Sequence, residues 1–192
     1  MLLRTVFKTP WFSIDEIDGR EPGTDGSGKP YYCLSRGDGV ICLVLTVTGD
    51  VLLVRQYRPP LGRHTLEMPA GGVEPGETPA QAIVREVAEE AGYVCGHLIE
   101  VGGCRIMPNR ESAREYFFIG LDARRLEEFT PAERIELKLL TRPAFRELIG
   151  GGGFEQTVAL GGLFLAEQKF SFRFFDDSLD TISERLCAPR KV

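Results

Sequence analysis

The chain has 192 residues, of which 43 % are hydrophobic and 27 % are charged. These proportions are ordinary for a soluble globular protein, and the length suffices for one domain with a substantial core. The formal net charge is −5 and lysines and arginines form no dense run, which argues against a nucleic-acid-binding protein. No apolar run approaches the roughly 18 residues that a membrane-spanning helix needs.

The cysteines and the first residues indicate the cellular compartment. The five cysteines are Cys33, Cys42, Cys95, Cys104 and Cys187. Because their number is odd and no C-x-x-C pair occurs, we expect neither a disulfide framework nor a zinc ribbon, but buried reduced thiols in a cytoplasmic protein. The opening sequence MLLRTVFK contains too much charge for a secretory signal.

The first part of the chain predicts a small β unit. Short β patterns occur at residues 3–8, 10–16 and 31–35. A loop rich in glycine, proline and aspartate separates them at residues 19–29. We therefore divide the chain into an N-terminal β segment, residues 1–37, and a main domain, residues 38–192.

The main domain predicts a mixture of strands and helices. Residues 40–46 and 51–57 read as two strands joined by a hairpin at Thr48-Gly49-Asp50. A further strand is predicted at residues 116–121, and helices are predicted at residues 142–149 and 157–169, on either side of four consecutive glycines. This order favours an α/β fold in which a mixed sheet packs between helices.

The best-marked helix covers residues 79–91. Thr78 is a suitable N-cap, Gln81 completes a capping box, and Gly92 is placed to end the helix. The preceding residues, 66–77, read as a loop.

The two faces of this helix differ in character. With about 100° per residue, the apolar face that we expect to pack on the sheet consists of Ala80, Val84, Val87, Ala88 and Ala91. Glu86, Glu89 and Glu90 cluster on the other side, where like charges repel by roughly 0.2–0.5 kcal/mol per pair. Such a cluster is either a solvated acidic face or a site for a hard cation such as Mg²⁺ or Mn²⁺. Gly71 and Gly72 favour the second interpretation, since they let backbone approach a ligand closely.

These residues together resemble a known family. The matching residues are Gly71-x5-Glu77-x7-Arg85-Glu86-Val87-x-Glu89-Glu90-x-Gly92-Tyr93. This stretch resembles the Nudix box throughout, apart from Tyr93, which stands where the family usually has an aliphatic residue and which we expect in the core. The resemblance implies a Nudix α/β/α sandwich with a mixed β-sheet and an N-terminal β extension.

The resemblance also implies a divalent metal cofactor, Mg²⁺ or Mn²⁺. Glu86 and Glu90 match the main metal ligands of the family. Glu89 matches a further ligand or a group that orients the reacting water, and Ala70 would offer its backbone carbonyl.

Other box positions have structural roles by the same resemblance. Glu77 and Arg85 are expected to brace the loop against the helix. Gly71 allows the close approach of the loop, and Gly92 ends the helix.

The flanks of the box resemble the ADP-ribose pyrophosphatase branch of the family. The similar stretches are residues 54–58 and 66–71, together with Pro108 and the N-terminal β segment. In that branch the N-terminal segment is exchanged with a partner subunit, so the resemblance implies a homodimer.

Four residues are candidates for substrate binding by this resemblance. Arg58 could hold a phosphate, and Glu67 could accept a bond from a substrate hydroxyl or simply pair with Arg58. Trp11 could stack on a base bound by the partner subunit or serve in packing. Arg105 could meet the terminal phosphate or sugar.

The general base is predicted on the loop after the strand at residues 116–121. Glu133 is our candidate, with Glu127, Glu128 or a surface role as the alternatives. The function implied is hydrolysis of the diphosphate bond of a nucleoside diphosphate linked to another group, such as ADP-ribose or a related nucleotide sugar. The alternatives are another Nudix activity (nucleotide clean-up, dinucleoside polyphosphate or NADH cleavage) and a non-catalytic nucleotide sensor.

Overall fold

The computed structural model describes residues 3–20, 24, 26–130 and 135–189, which form two β-sheets and four α-helices. The N-terminal sheet contains β1 (Leu3–Lys8), β2 (Ser13–Ile17) and β3 (Tyr31–Ser35). The main sheet contains β4 (Gly39–Thr46), β5 (Val51–Arg58), β6 (Arg63–Glu67), β7 (Ala70–Gly72), β8 (Tyr93–Val94), β9 (His97–Cys104), β10 (Glu115–Arg125) and β11 (Ile135–Leu140). The helices are α1 (Pro79–Glu86), α2 (Arg142–Gly150), α3 (Thr157–Phe170) and α4 (Leu179–Cys187).

The main sheet is mixed. Its strands run in the order β11-β5-β4-β10-β8, and β4 and β10 are parallel while the other pairs are antiparallel. β4 and β5 pair only near their hairpin, after which β6 pairs with β5 and β7 pairs with β4. Where β4 and β5 separate, the consecutive strands β6 and β7 thus fill the space between them, each paired with a different neighbour.

Helices cover both faces of this sheet. Alternate residues of β4 point to opposite faces, as the two-residue period of a strand requires. Ile41, Leu43 and Leu45 join a core with α2, α3 and α4. Val40, Cys42 and Val44 join a second core with α1. The layers are those of an α/β/α sandwich, which confirms the predicted fold class.

Local signals located most helices well, whereas several strands were missed. The predicted helices at residues 142–149 and 157–169 match α2 and α3 within one residue at each end. β6, β8, β9, β11 and α4 were not predicted, and the supposed loop at residues 66–77 contains β7 and the end of β6. Residues 171–178 connect α3 to α4, and Phe172 and Phe174 of this connection enter the core.

The helix predicted at residues 79–91 differs from the prediction in its final turn. The Thr78–Gln81 capping box is present, but after α1 the helix continues as a wider π-helical turn, Val87–Ala91, before Gly92 ends it. Each residue advances less around the axis in such a turn than the ~100° of an α-helix. The predicted apolar face is right for Val87 and Ala91, which are buried, and wrong for Ala80 and Val84: Val84 is 53 % exposed and Ala80 is also exposed. The side chains that pack on the sheet are Ala82, Ile83, Val87 and Ala91.

The N-terminal sheet contacts the connection between β9 and β10. The N–H of Leu34 donates to the carbonyl of Arg110 at 2.8 Å. Arg36 forms an ion pair with Glu111 at 2.9 Å and another with Glu115 at 2.8 Å. The predicted boundary at residue 37 falls between β3 and β4, but these contacts join the two units.

The remaining expectations concern membranes and cysteines. Among the described residues, no helix has both the length and the apolar character that a membrane span requires. All five cysteines are free thiols. Cys42 is fully buried, whereas Cys104 and Cys187 are exposed, contrary to the burial we expected.

Candidate active site

Glu86 and Glu90 lie against the turn that begins β7. The N–H of Ala70 donates to Oε2 of Glu90 at 3.0 Å. An ideal Cβ added to Gly71 would lie 2.0 Å from Cδ of Glu86, which is closer than any real contact. Gly71 is therefore required here because its missing side chain leaves the space that the Glu86 carboxylate occupies.

The environment of both carboxylates disfavours their charged form. Burial, with a contribution from the nearby Glu86, raises the pKa of Glu90 to about 7. Burial also raises the pKa of Glu86, although Arg85 opposes the shift. A cation placed between the two carboxylates would remove this penalty.

The donor set fits a divalent cation, although it is not assembled as a complete coordination sphere. Carboxylate and carbonyl oxygens are the ligands that Mg²⁺ prefers. Among the described residues, no three acidic, histidine or cysteine side chains already converge as a metal-binding group. Glu86 is paired with Arg85 at 2.8 Å, and Glu89 is 62 % exposed. The oxygens in place near the turn are those of Glu86 and Glu90, and Glu89 would have to swing toward them.

Arg85 connects the helix to the loop before it. Its Nε and Nη2 donate to the two carboxylate oxygens of Glu77 at 2.9 and 3.0 Å. Nη2 also donates to the carbonyl of Gly72 at 2.9 Å, and Nη1 donates to Glu89 at 3.2 Å. The bond with Arg85 lowers the pKa of Glu77, so the pair remains ionised at neutral pH. These contacts are the brace that the resemblance implies, while its importance for activity stays a prediction.

Gly92 joins the end of the helix to the segment after β10. Its φ is 66°, and an added Cβ would lie 2.2 Å from the ring of Phe129. The N–H of Leu126 donates to the carbonyl of Gly92 at 2.8 Å. The candidate base Glu133 lies outside the described residues, and Glu127 and Glu128 are exposed.

Arg58 and Glu67 form a bidentate pair close to the carboxylate cluster. Nε and Nη2 of Arg58 donate to the two oxygens of Glu67 at 2.8 and 2.5 Å, and the hydroxyl of Thr65 donates to Glu67 at 2.6 Å. Burial alone would raise the pKa of Glu67, but these bonds lower it. The positive charge of Arg58 partly opposes the rise in the pKa of Glu90. The Arg58–Glu67 pair is therefore close enough to act electrostatically on Glu90.

Trp11 and Arg105 lie apart from this group. Trp11 is 80 % exposed on the turn between β1 and β2. Arg105 is exposed on the connection between β9 and β10. Within the described part of the chain, no hydrogen bond or ion pair joins either side chain to the Glu86–Glu90 cluster.

Two residues that sequence reasoning did not select also support the site. Thr65 holds Glu67, and Gln156 accepts a hydrogen bond from the N–H of Met68 at 2.9 Å. Gln156 is 88 residues away from Met68, so no local spacing reveals the contact. Thr65 and Glu67 are two residues apart in β6, so their side chains lie on the same face of that strand. A prediction of β6 would therefore have placed Thr65 beside Glu67.

Comparison with known proteins defines the class of this fold and site. The model of the NUDIX domain matches residues 35–148, more than half of the chain. The chain therefore belongs to the Nudix family, and its relatives class it with the Nudix pyrophosphohydrolases.

Two relatives and one solved structure illustrate the similarity. An ADP-ribose pyrophosphatase of Bacillus subtilis is 34 % identical over 128 residues, which are 65 % of this chain and 69 % of that protein. An ADP-sugar pyrophosphatase of Mus musculus is 56 % identical over 43 residues, 22 % of this chain, and the match spans only 20 % of the mouse protein. The crystal structure of an ADP compounds hydrolase has a TM-score of 0.73 at 19 % identity, covering 89 % of this chain and 92 % of that one. The last similarity concerns the fold alone.

Proposed function

We propose that this protein is a divalent-metal-dependent hydrolase that cleaves the diphosphate bond of a nucleoside diphosphate linked to another group. The observation that carries the proposal is the pair Glu86 and Glu90, which face the Ala70–Gly71 turn and whose pKa values are raised. Glu86, Glu90 and the carbonyl of Ala70 would hold Mg²⁺ or Mn²⁺. Glu89 would be a further ligand or orient the reacting water.

The chemistry divides between the cation and the side chains. When bound, the cation neutralises the diphosphate and lowers the pKa of a coordinated water. Arg85 pairs with Glu86 beside the turn and with the more exposed Glu89. Glu133 is our candidate for the group that accepts a proton from the attacking water, with Glu127 and Glu128 as alternatives.

ADP-ribose or a related nucleotide sugar is the substrate we propose. The similarity to an ADP-ribose pyrophosphatase and an ADP-sugar pyrophosphatase supports this choice. Arg58 also supports it: Glu67 engages Nε and Nη2, whereas nothing among the described residues accepts from Nη1, which is therefore available to a substrate phosphate. Trp11 and Arg105 would contact the base and the terminal phosphate or sugar.

A homodimer built through residues 1–37, with the hydrolase domain in residues 38–192, is the assembly we propose. Phe7, Trp11 and Phe12 are exposed on one hairpin, and a large exposed apolar group favours a partner. Light scattering should give twice the chain mass. The double variant Phe7→Ser with Trp11→Ser should shift the mass toward that of the monomer, and an unchanged mass would contradict the assembly.

The activity is tested with a substrate panel. Purified protein and Mg²⁺ are incubated with ADP-ribose, GDP-mannose, UDP-glucose and dinucleoside polyphosphates, and phosphate monoesters are detected after treatment with a phosphatase. We expect the fastest release from ADP-ribose. Glu90→Gln should lower turnover by 10²-fold or more, on the order of the loss of one catalytic group, while Glu184→Gln on the exposed face of α4 should leave it unchanged.

Two results would count against this function. Absence of product from every substrate with either Mg²⁺ or Mn²⁺ would contradict the hydrolase. Nucleotide binding that is tight, yields no product and is unchanged in Glu90→Gln would instead identify a sensor.

A further inference from the structure

The turn that receives Glu86 and Glu90 lies where two strands separate. β6 last pairs at Glu67, which lies opposite Val54, and β7 first pairs at Ala70, which lies opposite Ile41. Met68 and Pro69 fall between the two ladders. Main-chain groups at such a corner lie outside the regular strand ladders, and a buried group without a partner costs free energy.

Two main-chain groups of this corner obtain their partners from elsewhere in the fold. The carbonyl of Pro69 accepts from the N–H of Cys42 at 3.0 Å. Proline has no N–H, so Met68 supplies the donor of the corner, and Gln156 accepts it through Oε1 at 2.9 Å. Met68 is completely buried, so water cannot replace the glutamine.

Gln156 has a fixed position of its own. It precedes the first turn of α3, and the neighbouring Glu155 pairs with Arg63 at the start of β6. Two consecutive residues before α3 thus hold both ends of the segment from Arg63 to Met68. This segment leads directly into Ala70, whose N–H bonds Glu90, and Gly71, whose missing side chain accommodates Glu86.

We propose that Gln156 is a positioning residue for the metal site, because it holds the Met68–Gly71 turn at the distance from Glu86 and Glu90 that cation binding requires. The inference rests on the proposed function, since it assumes that the two carboxylates bind a cation. Residues that orient metal ligands from outside the coordination sphere change metal affinity when replaced.

The test measures Mn²⁺ binding by calorimetry or electron paramagnetic resonance, with no substrate present. Gln156→Met keeps the length of the side chain and removes the acceptor, and it should weaken Mn²⁺ binding by about tenfold or more. Gln156→Glu keeps an acceptor oxygen and should bind as the wild type does. Gln168→Met, at an exposed position on α3, is the control with the same substitution.

A second measurement follows hydrogen exchange, first in the wild type, where the result does not depend on how well a variant folds, and then in the two variants. Hydrogen exchange of the Met68 amide should be slow, and it should become faster in Gln156→Met than in Gln156→Glu. Exchange in the wild type as fast as at exposed amides, or a Gln156→Met variant with a lower melting temperature but unchanged Mn²⁺ affinity, would overturn the inference. A wild type that binds no Mn²⁺ would overturn the proposed function itself, and this inference with it.

Discussion

Replacement of Gly71 by alanine tests the geometry of the site most directly. The new Cβ would lie 2.0 Å from Cδ and Oε1 of Glu86 and 2.5 Å from Oε2. Carbon atoms normally approach other heavy atoms to about 3.5 Å, so the carboxylate must move by more than ~1 Å. The end of a flexible side chain can make this movement at little cost to folding. The Glu86 carboxylate would, however, no longer occupy the position in which we propose that it binds the cation.

The expected consequence is a large loss of activity in a stable protein. A misplacement of about 1 Å in a catalytic arrangement can lower the rate about 100-fold, which corresponds to roughly 2.7 kcal/mol. Gly72→Ala is the matched control, because an added Cβ there meets no heavy atom within 4 Å. We would measure kcat, Mg²⁺ dependence and melting temperature for both variants. Activity of Gly71→Ala within twofold of the wild type, or an equal loss in Gly72→Ala, would refute this account of the turn.

Three further predictions concern the charged groups around this turn. Because burial raises the pKa of Glu90 to about 7, above the ~4.3 of an unfolded chain, metal-free protein should lose stability as the pH rises from 5 to 8. Over this pH range, the free energy of unfolding in urea should fall by on the order of 3 kcal/mol more in the wild type than in Glu90→Gln. Equal pH profiles for the two proteins would contradict the burial of the Glu90 carboxylate. Thr65→Val removes the hydrogen bond to Glu67, the partner of Arg58, and should raise KM about tenfold with little change in kcat. Thr65→Ser keeps the hydroxyl and should restore the KM of the wild type. A lower kcat at constant KM would argue for another role of Thr65. Arg85→Lys cannot reproduce the two parallel bonds from the guanidinium to Glu77 and should lower kcat. Arg55→Lys, in a more exposed ion pair with Glu136, should leave kcat unchanged. Equal kcat values for the two variants would contradict the role of Arg85 as a brace between loop and helix.

The sequence predicted those features of the site that depend on residues close together in the chain. The Nudix box lies within one continuous stretch, from Gly71 to Tyr93, so spacing alone was enough to recognise it. The cap at Thr78 and the end at Gly92 are also local, because each depends on residues within one helical turn. The same holds for the ends of α2 and α3.

The orientation of the box helix could not be predicted in this way. A regular wheel assigned Val84 to the sheet, but the wider turn after Glu86 changes which residues share a face. Two long-range contacts accompany this turn: Phe129 packs on Gly92, and the N–H of Ala70 donates to Glu90. Those contacts join residues about 20 or more positions apart.

The amino-acid sequence by itself determined the family, the fold class and the identity of the box residues, because these depend on residue type and short-range spacing. The tertiary structure alone decided which carboxylates are buried and which backbone groups they meet. It also decided that Thr65 and Gln156 support the site. These features arise where β4 and β5 separate and pair instead with β7 and β6, and the partners that the buried corner between β6 and β7 needs must then come from distant parts of the chain.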